Sequence, residues 1–435
     1  MRGLVLGTLL IAACSGGPPS ANASVSPTAT PASTVAPAST SAAPSATAAV
    51  EATPRMLTRL RLDVGSHDGT LVTGGQIQLG PAPAKGSYMD PYGRTIADER
   101  GSWTSAPVRA PSAFDQLIAS WNASTPAGTW IDVQMRASGG SRTTKWYTLA
   151  IWASGDETIH RTTVKGQDDA DGRVNVDTFE KARGAPELTS YELRVTLHRV
   201  AGSTTTPAVR TLNVVTSGPS DRVALPSAFG GVARDLDVPR LSQETHAGHY
   251  PEYDGGGEAW CSPTSTAMVL GFWQSGPSAA DLASFPGGGH ADPQVDHAAR
   301  HTYDWSYQGA GNWPYNTAYA AGYGLDGFIT RLRSLREAEL FIEAGIPLVA
   351  SVNGVLPGFL FTSTSGHLLV IRGFTQTGDV ITNDPAVLAN AQARKVYPRT
   401  DFERVWIGGS TGTVYVIRPP DKPLPPNVPG LPANW

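Results

Sequence analysis

Hydrophobic and polar positions alternate with a period of two through much of the first half of the chain. Residues 57–64, 130–135, 146–152, 191–197 and 210–215 place apolar side chains at alternate positions, and clusters of Gly, Pro, Asn and Asp lie between them. That period belongs to half-buried strands. Short strands parted by turn residues predict an antiparallel, sandwich-like all-β domain over residues 55–220. Past a loop-like stretch at 218–234 the pattern changes. Residues 261–273 set apolar side chains at 268, 269, 272 and 273, one stripe of a helix with Pro263 near its first turn. Ser334 and Glu337 have capping-box spacing and open a helix that ends near Gly345. Runs at 347–352, 367–374, 380–382 and 413–417 read as strands, and a second capping box, Thr400 to Glu403, opens a short helix through Trp406. Helices followed by a run of strands predict an α+β domain over 235–419. The Pro-rich segment 420–435 is expected to be an extended or disordered tail.

Composition narrows the class. Of 435 residues, 40% are hydrophobic and 16% charged, with 47 Gly and 35 Pro. This is a turn-rich, weakly charged chain of the exported β-rich kind. A net charge of −4 over that length carries no nucleic-acid footprint. The apolar run 4–13 behind Arg2 is too short to span a bilayer and fits the h-region of a signal peptide. It ends Ile11-Ala12-Ala13-Cys14-Ser15, which resembles a bacterial lipobox. Cleavage near Ala13 with Cys14 incidental is the alternative, but small residues before a cysteine favour lipidation of Cys14. Residues 1–14 are thus expected to be a lipoprotein signal peptide. The protein would sit on the outer face of the bacterial cell membrane, touching it only through the lipid, or be secreted. Residues 15–54 are almost wholly Ala, Ser, Thr and Pro, with no charge between Arg2 and Glu51. They read as a disordered tether whose coil would span roughly 35 Å.

The two cysteines then take separate jobs. Lipidation would consume Cys14 and leave Cys261 without a partner. Cys261 opens a predicted helix, where unpaired N–H groups and the macrodipole favour a thiolate, and it follows the Gly-rich approach Gly255-Gly256-Gly257 suited to an open cleft. His367 begins an apolar strand directly after Gly366. Asp384, 17 residues on, ends the next strand. An antiparallel hairpin of those strands sets His367 and Asp384 at one sheet edge, where the carboxylate orients the imidazole beside a nucleophile. Other clusters promise less. Asp168, Asp169 and Asp171 lack the register of a calcium loop. Trp103, Trp121, Trp130, Trp146 and Trp152 read as core before sugar platform. Tyr315, Tyr319 and Tyr323 wall a cleft or fill the core. His246 with His249, or His297 with His301, have metal-pair spacing, yet no cysteine or HExxH context accompanies them, and surface histidines explain their density. No metal or cofactor is expected.

Together, Gln243, Trp260-Cys261-Ser262-Pro263-Thr264-Ser265, Gly366-His367-Leu368-Leu369-Val370-Ile371 and Asn383-Asp384-Pro385 resemble the papain-fold cysteine peptidases of the bacteriocin-processing type, the thirty-ninth cysteine-peptidase family. The resemblance runs from about residue 239 to 419. It implies a papain-like fold, a Cys261 nucleophile, a His367 general base and acid, an Asp384 orienter, and an oxyanion hole shared by Gln243 and the Cys261 N–H. Two departures stand out. Ser262 replaces the usual Gly after the nucleophile, and Gln243 lies 18 residues upstream of Cys261, so residues 244–258 form an insertion. Glu258 or a main-chain N–H are the alternatives to Gln243. The implied protein is a monomeric peptidase acting on a peptide or protein substrate, cell-wall peptide among them. A cell-wall amidase or transpeptidase with the same triad, and a non-catalytic surface-binding lipoprotein, are the competing readings.

Overall fold

The computed structural model describes residues 55–218, 227–283, 289–358, 366–431 and 433–435. The signal peptide, Cys14 and the tether lie outside the described residues. Residues 55–217 build two antiparallel sheets, of seven and eight strands. In the larger, Leu188–Val200 lies between Thr129–Gly139 and Thr95–Thr104, with Val195 opposite both Val133 and Trp103. Its Tyr191, Leu193, Val195 and Leu197 are buried on one face, as the period of two demands. The smaller sheet centres on Gln116–Ser124 paired with Ala208–Ser217. Both of those strands are buried almost throughout, because the second domain covers their outer face. Trp103, Trp121, Trp130 and Trp152 are core residues. Trp146 is half-buried, with the Arg136 and Arg194 guanidinium groups 4.8 and 4.4 Å from its ring.

Among the described residues the second domain carries six helices: α1 Cys261–Phe272, α2 Ala279–Ala283, α3 Pro293–Thr302, α4 Trp313–Ala321, α5 Leu335–Glu343 and α6 Arg399–Glu403. Its antiparallel sheet runs Asp326–Arg331, Thr413–Arg418, Leu348–Val352, His367–Phe374, Val380–Asn383, Arg394–Tyr397, with Arg234–Asp235 also on His367–Phe374. Ahead of α5 the expected N-cap forms, with Ser334 accepting from the Glu337 N–H, while the Glu337 carboxylate accepts from the Arg333 N–H at 2.7 Å, one residue before the position a full capping box uses. Two expectations are corrected. Residues 261–270 of α1 are buried on every side rather than along a stripe, because the helix lies between the sheet, α3 and α4. The second capping box does not form. α6 starts after Pro398 with no side-chain cap, and Arg404–Gly408 continues as a π turn. The tail is docked. Asn434 is buried, donating to Arg331 O at 2.7 Å and Glu337 at 3.1 Å, while Trp435 packs 4.8 Å from Phe341.

The two domains share a polar seam. The Arg161 guanidinium is wholly buried and donates to Ala153 O, Ser154 O and Gly155 O at 2.9, 3.0 and 3.0 Å, and across the seam to Arg300 O at 2.7 Å. Asp304 accepts from the Thr163 N–H at 3.0 Å, and Asn122 accepts from the Gly327 N–H at 3.0 Å. Trp152 and Tyr315 stand 5.3 Å apart beside it.

Candidate active site

Cys261 is the first residue of α1. Two hydroxyls fasten that helix start to the sheet: Ser262 hydrogen-bonds Tyr415 at 2.8 Å, and Ser265 donates to Leu368 O at 3.1 Å. Ser262 thus has a structural task that glycine could not perform, tying the residue after Cys261 to the strand Thr413–Arg418. The second tie reaches the residue next to His367. Cys261 itself is buried, which corrects the expectation of an open cleft: the Gly-rich approach curls under the helix, where Gln243 O and His246 leave no space for a Cβ at Gly257. In the structure the Cys261 sulfur is disulfide-bonded, a departure from the unpartnered thiol read in the sequence. The chain's other cysteine, Cys14, lies outside the described residues. Only a reduced thiolate is a nucleophile, so thiol chemistry belongs to the reduced chain.

His367 opens its strand opposite Val352. The next strand pairs back antiparallel, with Val370 opposite Asn383, so His367 and Asp384 meet at one edge. His367 Nε2 lies 2.8 Å from Asp384 Oδ1. The carboxylate also accepts from the Ala386 N–H at 3.0 Å through Oδ1 and from the Tyr397 hydroxyl at 2.6 Å through Oδ2. Those donors suit an ionised acceptor. The imidazole proton therefore sits on Nε2, leaving Nδ1 as the nitrogen with a lone pair. Burial, then the Asp384 charge, pushes the Tyr397 phenol far above its ordinary range, which keeps it a donor. Tyr397 was invisible in the sequence. It sits 13 residues past Asp384 in a strand with no motif, and only the pairing of Val380–Asn383 with Arg394–Tyr397 brings it back.

Gln243 arrives from the other side. Its N–H donates to Pro385 O at 2.9 Å, next to Asp384, and its amide donates to Glu258 O at 2.6 Å. Both ends of the insertion are thus closed against each other, and the chain re-enters three residues before Cys261. Asn383 steadies the approach, donating to Val238 O and Pro239 O at 3.0 and 2.8 Å. Burial and neighbouring Glu258 raise the Glu244 carboxyl above its usual range, while Gln243 and the His367 charge oppose them. The structure therefore gathers Gln243, His367 and Asp384 around one sheet edge, with α1 packed across it.

The histidines read as surface residues are not all on the surface. His246 is fully buried and His297 nearly so. His297 and His301 stack 3.9 Å apart, and burial above all pushes them down to about 4 and about 3. Tyr315 and Tyr319 are core. Asp169 closes a turn by accepting from the Asp171 and Gly172 N–H groups at 2.9 and 3.1 Å.

Comparison with known families places both halves. Residues 54–217 match the Peptidase C39 N-terminal domain, and residues 235–413 match the Peptidase_C39 like family. Both matches are to C39 peptidase families, a mostly β N-terminal domain followed by a C39-like domain. A Bacillus anthracis crystal structure assigned as a C39-like peptidase is 19% identical, covering 43% of this chain and 97% of that one with a TM-score of 0.28. The κ-carrageenase of Pseudoalteromonas carrageenovora is 10% identical, covering 40% of this chain and 99% of that one at a TM-score of 0.21. No curated protein matches.

Proposed function

We propose that this chain is an extracytoplasmic cysteine peptidase that hydrolyses peptide amide bonds through Cys261, His367 and Asp384. The observation that carries the reading is the buried His367–Asp384 pair at 2.8 Å, backed by Tyr397 and set against the helix that Cys261 opens. His367 Nδ1 takes the Cys261 proton, and the thiolate attacks the substrate carbonyl carbon. The oxyanion is met by the Cys261 N–H and the Gln243 amide. His367 then protonates the leaving amine as the C–N bond breaks, giving a thioester. It next deprotonates a water that attacks the thioester and returns Cys261 as a thiol. Anchoring through a lipid on Cys14 rests on the pattern of residues 4–15 alone.

The test begins with reduction of the protein, followed by iodoacetamide or a thiol-reactive peptide probe near neutral pH and mapping of the labelled residue. Cys261 should react far faster than an ordinary thiol, and Cys261→Ala should abolish both labelling and peptide turnover. A labelling rate no higher than that of glutathione would end the proposal. Incorporation of a fatty-acid analogue, lost in Cys14→Ala, tests the anchor separately.

A further inference from the structure

Three of the nine histidines turn the same ring nitrogen toward one carboxylate. His246 Nδ1 is 2.9 Å and His249 Nδ1 3.3 Å from Asp296 Oδ1, and His290 Nδ1 is 3.3 Å from Asp296 Oδ2. The ligand atoms of His246, His249 and Asp296 all lie within 4.8 Å of one another. His246 and Asp296 are buried, at 0% and 1% side-chain exposure, whereas His249 and His290 are at 23% and 33%. Among the described residues no Lys or Arg pairs with Asp296, and each of its ion-pair partners is a histidine.

The spacing supplies the rest. A tetrahedral site with metal–ligand bonds of about 2.0–2.1 Å has edges of about 3.3 Å between donor atoms. The separation of His249 Nδ1 from Asp296 Oδ1, 3.3 Å, matches that length, and that of His246 Nδ1, 2.9 Å, lies a few tenths below it. Imidazole nitrogens with one carboxylate oxygen are a zinc set rather than a calcium or magnesium set. We propose that His246, His249 and Asp296, closed by His290, form a structural zinc site. This revises the expectation that these histidines bind no metal. Its place in the fold gives it a task. His246 and His249 belong to the insertion between Gln243 and Cys261, and Asp296 lies in α3. Zinc there staples the insertion, at His246 three residues past Gln243, to α3.

The site stands apart from the peptidase reading, so its test excludes thiol chemistry. The full chain carrying Cys261→Ser is stripped with a chelator, titrated with ZnCl2, desalted and analysed for metal, with Co2+ as a spectroscopic substitute. One zinc per chain and the visible bands of tetrahedral Co2+ are expected. His249→Gln and Asp296→Asn should each weaken zinc at least about 100-fold, the upper end of what loss of a mere outer-shell partner costs. Zinc should also raise the melting temperature of the Cys261→Ser chain but not of the variants. Absence of stoichiometric zinc in the Cys261→Ser chain would overturn the proposal. So would undiminished binding in His249→Gln, a partly exposed position where circular dichroism should show an intact fold even if Asp296→Asn disrupts it.

Discussion

Replacing Arg161 with Met tests whether the β domain is part of the peptidase domain's fold. Among the described residues the buried guanidinium reaches no carboxylate at ion-pair distance; it is held by five backbone carbonyls, four at 2.7–3.0 Å and Tyr303 O at 3.5 Å, with Arg300 O and Tyr303 O across the seam. Methionine keeps most of the stem that lies near Trp152, whose ring is 5.8 Å from the guanidinium carbon. It leaves these buried and half-buried carbonyls without that donor, at about 1 kcal/mol each. Relief of the buried charge pulls the other way. Hydrogen bonds to a charged group are worth about 1.5–3 kcal/mol each, so the loss of several at once outweighs that relief and destabilisation wins. The assay is denaturant unfolding followed by tryptophan emission, to which Trp121 and Trp152 contribute from beside the seam. The midpoint should fall or the transition split in two, with Arg161→Lys between the extremes. A stability loss under about 1 kcal/mol, with one unchanged transition, would refute the reasoning, since that is the scale of an ordinary surface substitution.

Three further outcomes are expected. Asp384→Asn should lower kcat by about 10²–10⁴-fold with little change in KM, because the amide no longer fixes the imidazole tautomer; steady-state kinetics on a peptide substrate checks this. Tyr397→Phe should cost about 1.5–3 kcal/mol of stability, the usual worth of a hydrogen bond to a buried charge, and should shift the kcat/KM pH profile, since Asp384 then pulls harder on the His367 proton. Asp254 is pushed up to about 7 by burial from an ordinary 3.8, while the Ala310 N–H opposes the rise. Its folded value is the raised one, so its contribution to stability is complete below pH 3.8 and disappears as pH rises through 7. Asp254→Asn should therefore be more stable than the parent by about 2–4 kcal/mol at pH 8, with the gap closing toward pH 4 in thermal melts.

The sequence was legible where a residue's surroundings were local. Leu188–Val200 has one face in the core and one outside it, so it alternates and reads as a strand. Gln116–Ser124 was passed over: Leu117, Ala119, Trp121 and Ala123 line one face, but the second domain covers the other, so Ser120 and Asn122 there are buried polar residues rather than a solvent face. Thr95–Thr104 hid for a different reason. Its charged run pairs inside the fold, with Asp98 2.8 Å from His198 and 3.1 Å from Arg100. At the candidate site, His367 and Asp384 were found because one hairpin joins them. Tyr397 needs one further strand, and the Gln243 contact to Pro385 spans more than a hundred residues. The histidines failed the same way: their density in the chain is visible, but convergence on Asp296, 50 residues from His246, is a property of the fold alone.

The seam gives the β domain a role that its lack of motifs concealed. Arg161 holds Arg300 O at the end of α3, the helix whose start presents Asp296 to the histidines. Asp177 accepts from the Trp313 N–H at 2.9 Å where α4 begins, and burial pushes its carboxyl up to about 6. Asn122 and Ser120 accept from the Gly327 and Ile329 N–H groups at 3.0 and 3.1 Å, along the outermost strand of the second sheet. α3 and α4 both pack on α1, so the elements pressing on the start of the Cys261 helix are themselves held from the β domain. Cutting the chain between its domains would expose these polar groups and the outer faces of Gln116–Ser124 and Ala208–Ser217 together. The β domain is therefore a structural wall of the candidate site, and any recruitment of substrate by it would come in addition to that task.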